Sequence, residues 1–201
     1  MTVNKNQIVT SPAAIALWPK LNQPNTKFNE AGEYEATIVL DPKNAEHEAF
    51  MTLLENMYDD AVDAMATEHK KPKIKKADSP VRPLTDKDGN DLGQFKVKFK
   101  LSASGETKDG RKFERKPALF GTDGRPFSGV IGHNSEIRVA FRPSAYFVPS
   151  VGAGLSLRLE AVQVLRASDG SRNFNDYGFT ATASEPEAVE TEATVQSDED
   201  F

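Results

Sequence analysis

The sequence predicts a mainly β protein in which five or six short strands and one helix form a small Greek-key barrel. Apolar and polar residues alternate in several short stretches, most clearly in QFKVKFKLS at 94–102, where every second residue from Phe95 to Leu101 is apolar. Gly and Asp turn signals separate these stretches. Strands and helices do not alternate along the chain, which argues against a parallel sheet. Periodicity alone leaves a two-sheet sandwich open beside the barrel.

The strands are predicted in chain order as follows. A short apolar strand from Ile15 ends at Pro19, and half-buried strands follow at 33–40, 94–102, 111–120, 136–142 and 154–165. Asp109-Gly110 is a hairpin turn signal into 111–120. In the last strand the apolar face changes phase after Ala161, which predicts a bulge or a barrel corner.

One amphipathic helix is predicted over about 42–68. Asp41 is the expected N-cap and Pro42 the first helical residue. Apolar residues then recur at spacings of three and four from Phe50 to Met65, while the opposite face is acidic. We expect the acidic face to lie in solvent, away from any nucleic acid.

Charge is distributed unevenly along the chain. Residues 181–201 hold seven of the 30 acidic residues and none of the 25 basic ones, so this tail carries −7 and the rest of the chain about +2. Residues 70–116 alone hold fifteen basic and seven acidic residues. A basic stripe together with an acidic tail is typical of a polyanion-binding protein whose own tail competes for the binding surface.

Residues 181–201 are predicted to form a disordered acidic tail, because they contain too little apolar surface to offset the entropy of ordering. The tail ends in Asp198, Glu199, Asp200 and Phe201. A terminal ring behind carboxylates is typical of a docking peptide whose Phe enters a pocket while its acids meet basic residues. An inert solubilising tail is the alternative.

No catalytic or metal-binding pattern is found in the sequence. His47, His69 and His133 lack ligand spacing with one another, so we interpret them as surface histidines rather than metal ligands. The calcium-like stretch 86–91 has Val97 where a bidentate Glu would be needed. No glycine-rich phosphate-binding fingerprint opens a helix. We therefore predict no enzyme activity, no metal and no cofactor.

The chain contains no cysteine, which excludes disulfides and thiolate metal sites and fits a reducing compartment. Its N-terminal sequence lacks the charged segment and apolar stretch of a signal peptide. No apolar run approaches the ~20 residues that span a bilayer. We expect a cytoplasmic protein without a membrane partner.

The candidate binding residues lie at outward positions of the predicted strands. The basic ones are Lys96, Lys98, Lys100, Arg138, Arg142 and Arg158, together with Arg115 near 111–120. The candidate rings are Trp18, Tyr146 and Phe147. A cationic groove with exposed rings is how sequence-tolerant single-strand binders hold nucleic acid. Each ring could equally lie in the core, and the lysines could equally cover a solvated sheet face.

Several segments resemble a known family. They are EYEATIVLDPKNAEHEAF, QFKVKFKLSAS, the stretch 128–132 before IRVAF, SVGAGLSLRLEAVQVL and the terminal DEDF. Their order and spacing are similar to those of the replication single-stranded DNA-binding proteins of T-seven-type bacteriophages, over about residues 14–166 and the terminus.

The resemblance implies an OB-fold domain over 1–180 that binds single-stranded DNA without strong sequence preference, followed by the tail over 181–201. It implies homodimerisation, strand annealing, and a role in phage DNA replication and recombination in the host cytoplasm. It also implies that the tail recruits replication proteins such as the phage DNA polymerase and helicase-primase. The family has a tyrosine after its penultimate strand, which favours Tyr146 as a DNA contact.

Two other functions stay open at this point. A protein-interaction or virion structural β-domain would bind no nucleic acid and would use its lysines only for solvation. An RNA-binding module would have to read the 2′-hydroxyl, and no sequence feature indicates how.

Overall fold

A computed structural model describes residues 7–27, 29–71, 73–107 and 109–169. The helix α1 spans Ala45–Glu68. The strands are β1 (Val9–Thr10), β2 (Ala14–Ala16), β3 (Lys20–Asn25), β4 (Glu33–Leu40), β5 (Val81–Thr85), β6 (Asp91–Ser102), β7 (Ser104–Glu106), β8 (Lys112–Glu114), β9 (Ala118–Phe120), β10 (Glu136–Val148) and β11 (Gly152–Arg166). The predicted acidic tail, 181–201, lies outside the described residues.

Five of these strands close into a barrel. β2 pairs with β4, β4 with β6, β10 with β11, and β10 with β2, all antiparallel. The ring closes where β6 meets β11 in parallel, with Lys100 opposite Arg158. The order around the barrel is therefore β2–β4–β6–β11–β10. This closure confirms the predicted Greek-key barrel with one helix and decides against the sandwich.

The remaining strands extend or flank the barrel. β1 pairs with β10, β3 with β4, β5 with β6 and β9 with β11, whereas β7 and β8 form a separate hairpin. The single strand predicted near 111–120 was wrong, because β8 and β9 pair with different partners. Pro117 lies between them, and a proline has no N–H with which to continue a ladder.

The barrel interior is filled by one face of each long strand. Its buried side chains include Ala36, Ile38, Leu40, Val97, Phe99, Ile137, Val139, Phe141, Leu155, Leu157, Leu159 and Val162. Because strand side chains alternate between faces, this core directs the intervening residues of β4, β6, β10 and β11 outward. The predicted alternation is confirmed in all four strands.

The predicted phase change in the last strand is a β-bulge. Ala161 pairs with Ala140, but the next pair joins Leu159 to Phe141, so Glu160 is the extra residue. The bulge lets Leu159 and Val162 both stay buried although they are three residues apart.

The helix α1 begins three residues after the predicted start. Its N-cap is Asn44, whose side-chain oxygen accepts the N–H groups of Glu46 and His47. The predicted cap, Asp41, instead accepts the N–H of Lys43 in the preceding turn. Because that local turn uses the Asp41 carboxylate, the cap falls to Asn44.

The apolar face of α1 covers β10 and β11, with Phe50, Leu54 and Val62 buried. Its acidic residues Glu48 and Asp63 are exposed, as predicted. No helix within the described ranges has the length and apolar character that crossing a bilayer requires.

Candidate nucleic-acid interface

A groove runs across the outer face of β4 and β6 and along the ribbon formed by β10 and β11. It consists of two adjoining cavities of about 650 and 570 Å³. Lys100, Tyr146 and Ser156 line both cavities, so the two are continuous. The groove exists because barrel closure sets β6 beside β11 and brings the outward side chains of both strands to one surface.

Most of the candidate residues meet in this groove. Those that line it are Trp18, Lys96, Lys98, Lys100, Arg115, Arg142, Tyr146 and Arg158. Basic residues outnumber acidic ones along its walls. The charged lining residues are Arg82, Lys96, Lys98, Lys100, Arg115, Arg142 and Arg158 against Glu33, Glu35 and Asp78. The groove therefore carries an excess of positive charge that attracts a polyanion.

Two candidates lie elsewhere. Arg138 is exposed on the ribbon opposite Gln163 and does not line either cavity. Phe147 packs against the end of α1, with its ring centroid 4.5 Å from that of His69 and 5.3 Å from Lys71 Nζ. Adjacent strand residues face opposite sides, and Tyr146 occupies the groove side.

Carboxylates interleave with the lysines in the first cavity. Lys98 Nζ lies 2.8 Å from Glu35 Oε1, and Lys100 Nζ lies 2.7 Å from Glu33 Oε2. Lys100 Nζ is also 4.0 Å from Glu35 Oε1. These two glutamates were not among the predicted binding residues. The alternation of the sequence could have identified them, because Glu33 and Glu35 occupy outward positions in the strand at 33–40, as the lysines do in the strand at 94–102.

Glu35 is ionised beside its lysines. Partial burial raises the pKa of its carboxyl, but the hydrogen bond and charge of Lys98, with contributions from Glu33 and Lys100, outweigh burial and hold the pKa below its ordinary value of 4.5. Part of the positive charge in the groove is therefore neutralised by the protein's own carboxylates.

A similar arrangement involves two arginines that line the second cavity. Glu160 Oε1 lies 3.2 Å from Arg142 Nε and 2.7 Å from Arg158 Nη2. Glu160 is the bulge residue of β11, so the irregularity that preserves the core also places a carboxylate between two arginines of adjacent strands.

Trp18 is an exposed ring at one end of the groove. Its side chain is 71% exposed, and its backbone has φ 45°, an uncommon conformation for a tryptophan. The residue lies in the corner between β2 and β3, beside Pro19. The core alternative for this ring was wrong: Trp18 has the same strand phase as the buried Ala14 and Ala16, but β2 ends at Ala16 and Trp18 lies in the corner that follows, where strand alternation no longer holds.

Tyr146 is the second ring of the groove, and a glycine sets its position. On the ribbon it pairs with Gly154. A Cβ built on Gly154 would lie 2.8 Å from the Tyr146 hydroxyl oxygen and 2.9 Å from the adjacent ring carbon. The ring therefore lies over a position that tolerates no side chain.

The histidines are not gathered into a metal site. The ring of His47 accepts the N–H of Asp41 at Nδ1 and donates from Nε2 to the carbonyl of Ala13. His69 and His133 each pack against an aromatic ring. In the described part of the chain, no three His, Cys, Asp or Glu side chains are grouped to hold a metal.

Comparison with known proteins identifies the family. Residues 11–167 match the family described as single-stranded DNA-binding protein, bacteriophage T7. The chain belongs to this family. The match confirms the resemblance drawn from the sequence, and membership in a family of non-enzymatic binding proteins agrees with the predicted lack of catalytic activity.

Two solved phage structures share the fold. One is gp2.5, a single-stranded DNA-binding protein encoded by bacteriophage T7, with 20% identity and a TM-score of 0.68 over 95% of this chain and 99% of that one. The other is the single-stranded DNA-binding protein from bacteriophage Enc34 in complex with ssDNA. It has 13% identity and a TM-score of 0.58 over 83% of this chain and 90% of that one. A search of curated protein sequences finds no significant match.

Proposed function

We propose that this chain binds single-stranded DNA along the groove, without strong sequence preference. The observation that carries the proposal is one continuous cationic groove with a ring at Trp18 and another at Tyr146, in a member of a single-stranded DNA-binding family. The lysines and arginines attract the phosphates, and each stacked base adds about 1–3 kcal/mol whatever its identity.

The groove favours unpaired over paired DNA because its rings need access to base faces. In a duplex those faces are covered by neighbouring base pairs, so Trp18 and Tyr146 could not stack on them. The cations follow the sugar–phosphate chain instead, and contacts of that kind carry no sequence information.

Measuring the binding of labelled oligo-dT to the full chain tests this proposal. Lys98→Ala and Arg142→Ala should each weaken binding, and each lost phosphate contact should reduce the slope of log affinity against log salt by about 0.7. Lys43→Ala is the matched control, since Lys43 is exposed and does not line the groove. Undetectable oligo-dT binding by the unmodified chain would refute the proposal and favour a protein-interaction or virion structural domain.

We further propose that the protein acts as a homodimer in phage DNA replication and recombination, where it protects and anneals single strands. Residues 1–180 would form the binding domain. The acidic end, Asp198 to Phe201, would recruit phage replication proteins such as the DNA polymerase and the helicase-primase. Family membership supports this role, and so does the tail charge of −7, which complements basic surfaces on partners.

The tail also has the charge needed to compete with DNA for the groove. Deleting 181–201 should therefore raise the affinity for oligo-dT, and should abolish retention of the phage polymerase on immobilised protein. An unchanged affinity for oligo-dT would count against competition between the tail and DNA. Unchanged retention of the polymerase would count against recruitment by the tail. Light scattering on the full chain checks the dimer.

A further inference from the structure

The exposed ring of Trp18 has an aromatic partner, His133, that is distant from it in the sequence. The indole lies on the imidazole of His133, with ring centroids 4.0 Å apart and an angle of 4° between the ring planes. Such a near-parallel pair covers one face of the indole. Trp18 lines the first cavity, whereas His133 does not, so the other face is the one presented to the groove.

Two backbone hydrogen bonds hold the segments that carry the two rings next to each other. Ala16 donates its N–H to the carbonyl of Ser135 at 2.8 Å, and Asn134 donates its N–H to the carbonyl of Ala16 at 3.0 Å. These bonds tie the loop that carries His133 to the end of β2, two residues before Trp18.

Each segment has a residue at positive φ beside the stacked pair, a conformation that asparagine tolerates but that is uncommon for tryptophan. Trp18 has φ 45° and Asn134 has φ 67°. Non-glycine residues held at positive φ persist only where surrounding structure over-determines them, and they concentrate at ligand-binding positions. Trp18 therefore combines a backbone conformation typical of ligand-binding positions with an indole that is packed on one face and exposed to solvent.

We propose that His133 is a positioning residue that holds the Trp18 indole as a fixed platform for one nucleobase at the end of the groove. The base stacks on the free face of the indole, which produces a three-layer stack of base, indole and imidazole. This inference rests on the proposed function, since it assigns a nucleobase to part of the same groove.

The physical basis is pre-organisation. An exposed tryptophan without support samples several rotamers and loses that freedom when a base stacks on it. Because the imidazole already restricts the indole, the entropy is lost on folding rather than on binding. Removing the imidazole should weaken the binding of base-containing strands about three- to tenfold. It should leave contacts to the phosphates unchanged.

The test compares His133→Ala and His133→Phe with Trp18→Ala and the double variant Trp18→Ala/His133→Ala. Each is titrated with oligo-dT and with an abasic oligomer of equal length. Because the chain has a single tryptophan, steady-state anisotropy of its fluorescence reports the mobility of this ring alone. Thermal melts confirm that each variant is folded.

We expect His133→Ala to bind oligo-dT about three- to tenfold more weakly, to lower the Trp18 anisotropy in the free protein, and to bind the abasic oligomer as before. His133→Phe should restore both properties, since its ring can also cover the indole. In the Trp18→Ala background, removal of His133 should cause no further loss of affinity for oligo-dT.

Three results would overturn the inference. The first is an unchanged affinity of His133→Ala for oligo-dT. The second is that removing His133 lowers the affinity for oligo-dT as much in the Trp18→Ala background as in the unmodified chain. The third is that His133→Ala loses as much affinity for the abasic oligomer as for oligo-dT. Failure of the proposed function is separate, because then the unmodified chain would bind neither oligomer.

Discussion

Replacing Glu35 with glutamine should strengthen the binding of single-stranded DNA. The Glu35 carboxylate lies 2.8 Å from Lys98 Nζ and 4.0 Å from Lys100 Nζ, so it neutralises cations that a phosphate would use. A phosphate bound there must displace the carboxylate or lie beside it. Glutamine keeps the size of the side chain and removes the charge, so Lys98 becomes available to the phosphate, while Lys100 keeps its contact with Glu33.

The expected gain follows from the exposure of the pair. The Lys98 side chain is 44% exposed and that of Glu35 is 20% exposed, so the pair is partly screened by solvent. Exposed ion pairs are worth about 0.2–1 kcal/mol. Because the Glu35 ion pair no longer has to be broken when DNA binds, the dissociation constant should fall about 1.4- to fivefold.

The salt dependence should change as well. In the unmodified chain, a carboxylate displaced from Lys98 takes up a cation from solution, which offsets part of the counterion release from DNA. The plot of log affinity against log salt should therefore be steeper for Glu35→Gln. Fluorescence anisotropy with labelled oligo-dT at several salt concentrations measures both quantities.

The matched control is Glu48→Gln, which removes the same charge from the exposed face of α1, outside the groove. It should change affinity only through net charge, an effect that salt screens. The reasoning is refuted if Glu35→Gln binds no more tightly than the unmodified chain, or if Glu48→Gln produces the same gain.

Further predictions concern stability and the second ring. Asn44→Ala should destabilise the fold by about 1 kcal/mol in thermal or urea melts, because α1 loses its cap, whereas Asn44→Asp should retain most of the stability. Gly154→Ala should weaken oligo-dT binding about as much as Tyr146→Ala does, since the new Cβ displaces the ring; additive losses in the double variant would contradict this. The pKa of Glu35 is lowered by folding, so its stabilising contribution is present above the ordinary value of 4.5 and disappears as the pH falls through the folded value. Melting temperatures of the unmodified chain and Glu35→Gln should therefore converge in acid and differ near neutral pH.

Local patterns in the sequence were sufficient to predict the long strands β4, β6, β10 and β11 and the sides on which their residues lie. Alternation in 94–102 placed Val97 and Phe99 inside and the lysines outside, because successive strand residues face opposite ways whatever the rest of the chain does. The phase change after Ala161 predicted a bulge for the same local reason. The helix start was missed because Asp41 and Asn44 are both competent caps, and only the preceding turn decides between them.

The sequence by itself determined the long barrel strands, the helix, the charge and the family, since each depends on residues close together in the chain or on their order. Only the tertiary structure decided which outward side chains share a surface. Barrel closure joins Lys100 to Arg158 across 58 positions of sequence, brings Trp18 onto His133, and leaves Arg138 and Phe147 outside the groove. Strand periodicity cannot predict this arrangement, because it specifies on which face of its strand a residue lies but not which strand lies beside it. The neighbouring strand is determined by the packing of the whole core.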